Sequence, residues 1–214
     1  MKICAILLLL IIALSAMGYI FWYKPKYNTS KNGNSFYFAV NTTHAATIKR
    51  LKAKALAVKE FARANNYNTG YCFMADMSMA SGEKRFFVYN LSSDSIELAG
   101  LVAHGSGRGR LRTRIEFSNS ANSLCTSLGK YKIGNSYTGK FGLAFKLYGL
   151  DATNSNACSR FVVLHAHPCV PNEETVPLPI CESWGCPTVA PLFLTQLQKY
   201  IDQSATPMLL VIYY

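Results

Sequence analysis

Two short segments of this 214-residue chain carry residue types that can do chemistry together. His165 and His167 end the apolar run Phe161-Val162-Val163-Leu164, and two residues apart in a strand they point to one face. Cys186 follows His165 by twenty-one residues, within Ser183-Trp184-Gly185-Cys186-Pro187-Thr188 and just ahead of a helical pattern. A cysteine at such a turn can present its sulfur at the start of a helix, where aligned N–H groups and the helix dipole favour thiolate over thiol. The backbone N–H groups around Gly185 and Cys186 could receive a developing oxyanion, because glycine lets a carbonyl approach closely. A histidine on a neighbouring strand would serve as base and then as acid for a leaving amine. His165 is the better placed of the two, since the sheet should hold it, whereas His167 precedes Pro168 and should line the mouth of a pocket. By residue type alone, a buried structural cysteine beside a satisfied core histidine is an equal reading.

Other chemistry is weaker. His165 and His167 with Cys169, Cys181 or Cys186 are zinc-compatible ligands, but their spacing is irregular and no acidic base accompanies them. None of the seven cysteines forms a C-x-x-C pair. If the chain is exported, Cys169 and Cys181, which flank the Pro-rich loop PNEETVPLPI, are the favoured disulfide.

The elements that must position these residues are mainly strands. Short apolar or alternating runs at 70–76, 85–91, 96–103, 110–117, 143–148, 160–166 and 207–213 predict strands, and a helix is expected over 190–202 after the Pro191 signal. Apolar residues recurring at helical spacing from Thr43 to about Asn65 predict an amphipathic helix with a basic face, either solvated or lying on anionic lipid. The fold class is therefore mainly β with peripheral helices, a sandwich or barrel-like domain over residues 43–214. Arg108, Arg110, Arg112 and Arg114 alternate on one strand face, as a charged edge strand or an anionic-polymer groove would.

The N-terminus reads as a membrane or export element. Residues 3–23 are almost wholly apolar, long enough to cross a bilayer, and end in Tyr19-Ile20-Phe21-Trp22-Tyr23 like an interfacial belt. Ala16-Met17-Gly18 also offers a signal-peptidase site, so residues 1–23 are an uncleaved anchor or a cleaved signal. Residues 24–42 are rich in Lys, Asn, Ser and Gly and read as a linker. The formal charge of +11 first suggests nucleic acid, but its distribution argues against that partner. Nine basic residues and one acid lie between Lys24 and Arg63, whereas from residue 64 onward twelve basic residues face ten acids.

The string from His165 to Cys186 resembles the signature of the murein L,D-transpeptidase catalytic-domain family: a His after a hydrophobic strand, then Ser-x-Gly-Cys. The resemblance extends over roughly residues 66–214. It takes in Asp76-Met77-Ser78, the stretch from Ser81 to Val88, Val102-Ala103-His104-Gly105-Ser106-Gly107, Phe117-Ser118-Asn119 and Ser127-Leu128-Gly129-Lys130-Tyr131. Tyr137-Thr138-Gly139-Lys140, Gly149-Leu150-Asp151 and Asn156-Ala157-Cys158-Ser159-Arg160 follow in order. The chain departs from many relatives at Trp184 (His), Ala166 (Gly), Phe141 (His) and Pro187-Thr188, where Arg soon follows the Cys. These departures leave nucleophile and base intact and bear on substrate detail and rate.

The resemblance implies a peptidoglycan L,D-transpeptidase whose catalytic set is Cys186, His165, Ser183 and Gly185. Cys186 thiolate would attack the third residue of a stem peptide, release D-Ala protonated by His165 and form a thioester. An amine of a second stem would then complete a 3–3 cross-link, or water would make the site an L,D-carboxypeptidase. No metal or organic cofactor is required. His104, Lys140, Arg160, His167 and Trp184 are the expected substrate-binding residues, although Arg160 also suits a loop-fixing role. The expected partners are peptidoglycan stem peptides and the inner membrane through the N-terminal segment, with the domain a monomer outside that membrane, in the bacterial cell envelope. The alternatives of another class are a zinc-binding protein and a non-catalytic wall-binding module.

Overall fold

The two apolar runs 70–76 and 207–213 contain almost no polar residue, which suits strands buried on both faces. In the computed structural model they are β1 (Tyr71–Asp76) and β9 (Leu209–Tyr213), paired in parallel at the middle of one nine-stranded sheet. The structure describes residues 11, 14–17, 19, 34–108 and 115–214. The remaining strands are β2 (Phe86–Asn90), β3 (Ser95–Gly100), β4 (Val102–Ala103), β5 (Gly129–Gly139), β6 (Gly142–Gly149), β7 (Val163–Ala166) and β8 (Thr188–Val189). Their order across the sheet is β3-β2-β1-β9-β5-β6-β7-β8-β4. The first and last strands of that order are joined in sequence by Leu101 alone, so the sheet must curl until its edges meet. The result is a mainly β, nearly closed barrel-like fold with few helices.

Among the described residues, helices α1 (Asn34–Ala64) and α2 (Pro191–Asp202) accompany it. The chain divides into residues 1–49 and 50–214, and α1 contributes to both. Within the second unit, Leu51, Ala55, Val58 and Ala62 form the buried stripe of α1. They pack on Cys72 and Met74 of β1 and on Leu209, Val211 and Tyr213 of β9. The alternate residues Phe73, Ala75, Leu210 and Ile212 face the other way, into the larger core shared with Phe193, Leu194 and Leu197 of α2. Part of the basic face of α1 is used rather than only solvated. Arg50 Nε donates to the fully buried Asp76 carboxylate at 2.8 Å, Lys52 pairs with Asp94 at 2.9 Å, and Lys59 donates to Leu91 O at 2.7 Å.

Several expectations are corrected. Residues 34–42, read as part of the 24–42 linker, are helical, while residues 24–33 lie outside the described residues. The strand expected over 96–103 breaks at Leu101, where the chain passes between the two sheet edges. The strand expected over 160–166 starts only at Val163, because Arg160 and Phe161 turn and Phe161 takes φ 56. The eleven-residue β5 was not expected at all: GKYKIGNSYTG has no sustained apolar pattern, and only Tyr131 and Ile133 in it are buried. Residues 109–114, with three of the four alternating arginines, and most of residues 3–23 lie outside the described residues. Among the described residues no helix is long and apolar enough to cross a membrane.

Two leucines on α1 separate packing from propensity. Leu51 is fully buried and Leu56 is 67 % exposed. Leu51→Ala should lower unfolding stability by roughly 2–4 kcal/mol in chemical denaturation. Leu56→Ala should stay within about 0.5 kcal/mol of wild type.

Candidate functional site

The site is built where β7 and β8 run in parallel, with His165 opposite Thr188 and Ala166 opposite Val189. Two residues back along both strands, the same register sets Cys186 beside Val163, and Cys186 Sγ accepts the Val163 N–H at 3.5 Å. The thiol lies 3.8 Å from Phe161 O, the carbonyl turned by that residue's left-handed backbone.

The turn before Cys186 is clamped from three sides. Ser183 Oγ accepts the Gly185 N–H at 3.1 Å and donates to Cys186 O at 2.6 Å, which closes the turn on itself. Ser183 N–H donates to His104 O at 2.8 Å and Ser106 N–H to Ser183 O at 2.9 Å, which ties the turn to the segment after β4. Gly185 sits at φ +114, and a Cβ there would fall 2.8 Å from Cys125 O, so both conformation and space require glycine. Thr126 Oγ1 accepts from Gly105 N–H at 2.9 Å and donates to Gly185 O at 3.3 Å. Sequence reasoning missed Thr126, and nothing in its local pattern marks it.

A cleft of about 310 Å³ opens here, with His165, His167, Cys186 and Thr188 on its inner wall and Glu182 and Trp184 toward its rim. Phe141 closes one side. It sits at the tip of the β5–β6 hairpin, between the paired Gly139 and Gly142, and stacks on His165 at 5.4 Å while meeting His167 edge-on at 5.2 Å. His165 Nδ1 lies 3.0 Å from Ala166 O and Nε2 lies 3.0 Å from Thr188 Oγ1. Burial holds the His165 pKa below the usual imidazole value, the Ala166 carbonyl works against that shift, and neighbouring His167 adds to it. Burial likewise pushes the Cys186 thiol up, against opposing help from Val163 N–H and the Arg160 charge. Both shifts favour one state, neutral thiol beside neutral imidazole.

That electrostatic state corrects the expectation of a thiolate at a helix start. Helix α2 begins at Pro191, five residues beyond Cys186, and β8 intervenes. The dipole acts within a turn of the helix end, so it does not reach this sulfur. The Gly185 N–H, expected as an oxyanion donor, is taken by Ser183 Oγ.

Of the residues expected to bind substrate, His167 and Trp184 line the cleft, and Trp184 is 79 % exposed. His104 is buried behind it, bonded through Nδ1 to the Arg85 guanidinium at 2.9 Å. Burial and that cation push the His104 pKa down to about 4. Its Nε2 faces Glu182 at 3.8 Å. Arg160 is an internal strut, donating to Ser118 O, Ser123 Oγ and Cys125 O at 2.8, 3.2 and 2.6 Å. Lys140 does not line the cleft; its ammonium lies 5.5 Å from the Phe141 ring centre. Arg85, fully buried, was not singled out from sequence, because nothing in a single chain separates a buried arginine from the far commoner exposed one. Cys169 and Cys181 form a disulfide on the cleft wall, and Cys186 is a free thiol. The zinc reading therefore loses two of its ligands, and among the described residues no group of three His, Cys, Asp or Glu could hold a metal.

Among known protein families, the L,D-transpeptidase catalytic domain family matches this chain over residues 43–213. No curated protein matches the chain. Among solved structures, the helical cell shape determining protein Pgp2 from Campylobacter jejuni is similar with a TM-score of 0.43 and 11 % identity, covering 66 % of this chain and 46 % of that one. The L,D-transpeptidase from Xylanimonas cellulosilytica DSM 15894 gives 0.40 and 11 %, covering 72 % and 68 %. The Ldtfm–avibactam carbamoyl enzyme gives 0.40 and 11 %, covering 68 % and 49 %. The chain thus spans about half the length of the first and third of these.

The raised thiol has a direct readout. Alkylation of the Cys186 peptide by iodoacetamide, quantified by mass spectrometry, should rise about tenfold per pH unit through neutrality. It should level off only above the pH at which an ordinary cysteine does; levelling below neutrality would reveal a preformed thiolate.

Proposed function

Because the chain belongs to the L,D-transpeptidase catalytic domain family, we propose that it is a peptidoglycan L,D-transpeptidase with Cys186 as nucleophile and His165 as base. The observation that carries this reading is the convergence of Cys186 and His165 on one cleft, with Val163 N–H aimed at the sulfur. The resting pair is neutral, so attack is coupled to proton transfer when substrate arrives. The Cys186 S–H bond breaks, its proton passes to His165 Nε2, and the sulfur electron pair attacks the carbonyl of the third stem residue. Val163 N–H stabilises the charge that develops on sulfur. With Gly185 N–H engaged by Ser183, the Cys186 N–H is the donor we assign to the oxyanion.

As the tetrahedral intermediate collapses, the bond to D-Ala breaks and its nitrogen takes the proton from His165, leaving a thioester on Cys186. The side-chain amine of a second stem then attacks, His165 accepts its proton, and a 3–3 cross-link forms with the thiol restored. Ser183 and Gly185 shape the turn and do not touch the reacting atoms. Trp184 and His167 line the approach to the sulfur and are the residues we assign to substrate binding. Peptidoglycan lies outside the inner membrane, so the domain works there, delivered by residues 1–23 as anchor or cleaved signal. The Cys169–Cys181 disulfide suits that oxidising side.

Incubation with purified tetrapeptide muropeptides, followed by mass analysis, tests the reading. D-Ala and 3–3 dimers are the expected products; D-Ala with tripeptide monomers alone would make the enzyme a carboxypeptidase, and unchanged substrate would contradict the proposal. His165→Ala should lower turnover by at least ~100-fold. His167→Ala should alter KM more than kcat.

A further inference from the structure

Both ring nitrogens of His165 are engaged, and the partners fix which one carries the proton. Ala166 O can only accept, so Nδ1 bears the hydrogen and Nε2 the lone pair. The Thr188 hydroxyl, 3.0 Å from Nε2, must therefore donate to it while the ring is neutral. That hydroxyl has a second acceptor within reach, Cys186 O at 3.4 Å. It carries one hydrogen and serves one acceptor at a time. Thr188 is 3 % exposed, and the β7–β8 ladder sets its backbone directly opposite His165. The hydroxyl thus sits on the lone pair that has to receive the nucleophile's proton.

We propose that Thr188 is a positioning residue for the base, its hydroxyl turning between His165 Nε2 and Cys186 O as the ring gains and loses a proton. This rests on the assignment of Cys186 and His165 made above. When the Cys186 S–H bond breaks, the proton goes to Nε2 and the electron pair stays on sulfur. The Thr188 O–H swings to Cys186 O, and Oγ1 accepts the new Nε2–H. An Nε2–H bonded to Oγ1 is not returned at once to the thiolate, which leaves time for attack on the carbonyl. When the leaving amine takes that proton, the hydroxyl swings back and restores the original tautomer.

The groups facing the ring are His167 from its own strand, Cys186 and Glu182 from the turn before β8, and uncharged Phe141 from the hairpin tip. Arg160 acts on Cys186 from the loop before β7. Changing Thr188 leaves all of these in place, so a shift in His165 titration reports the hydroxyl itself.

Thr188→Val keeps the shape and removes the hydroxyl, Thr188→Ala removes it with less bulk, and Thr188→Ser restores it. The readouts are an NMR titration of the His165 ring nitrogens and the pH profile of D-Ala release. A hydrogen bond to the charged ring outweighs one to the neutral ring. Without Oγ1, His165 should therefore titrate at lower pH than in wild type, and the acidic limb of kcat/KM should move down with it. Plateau turnover should fall about tenfold. Thr188→Ser should recover all three. His165 titrating as in wild type in folded Val or Ala variants, or a loss that Ser does not recover, overturns the proposal. If wild-type protein releases no D-Ala, the transpeptidase reading fails, while the ring titration still decides the role of Thr188.

Discussion

The parallel pairing of β7 with β8 is the constraint on which the site depends. Two strands of four and two residues set His165 against Thr188 and carry Cys186 to Val163. So short a ladder cannot hold itself, and its neighbours supply the rigidity. The other edge of β7 pairs with β6, with Ala144 opposite His165, while β8 pairs with β4. Just before β8, Ser183 is bonded to His104 and Ser106, and Arg160 and Thr126 lock the 118–127 loop around Gly185. Closure of the sheet at Leu101 brings β4 to this edge. The global curl of the sheet therefore governs the local position of the sulfur.

The second consequence is electrostatic. A cysteine at a helix N-terminus is activated in advance, whereas here burial raises the thiol and depresses the imidazole. A neutral pair in a largely apolar cleft is less exposed to oxidation and alkylation than a standing thiolate. In the proposed mechanism the charge separates only when substrate has excluded water. The buried Arg85–His104 pair fits the same design, since burial and the guanidinium keep His104 neutral, and the bond to Arg85 fixes it behind the Ser183 turn rather than in the cleft.

How much of this was legible in the sequence depended on whether a residue's neighbours in space were also its neighbours in the chain. β1 and β9 were plain because burial on both faces writes an unbroken apolar run, and α2 was plain because Pro191 marks its start. β5 was not, because its half-exposed faces and glycines leave no period to read. The Ser183-to-Cys186 turn was recognisable, but the two residues of β8 are too few to show alternation, so Cys186 was set at a helix it does not touch. Lys140 was favoured over Phe141 by its charge, although the hairpin geometry gives the cleft to the ring. Thr126 and Thr188 meet Gly105 and His165, which lie 21 and 23 residues away in the chain, and no local pattern signals that.

The claim that Cys186 is the nucleophile is tested most directly by acylation with a carbapenem, which reacts with nucleophiles of this family, followed by peptide mass mapping. One adduct on the peptide containing Cys186, absent in Cys186→Ser, is the predicted result. An adduct on Cys125 or Cys158 with Cys186 unmodified, or no adduct on folded protein, would contradict it.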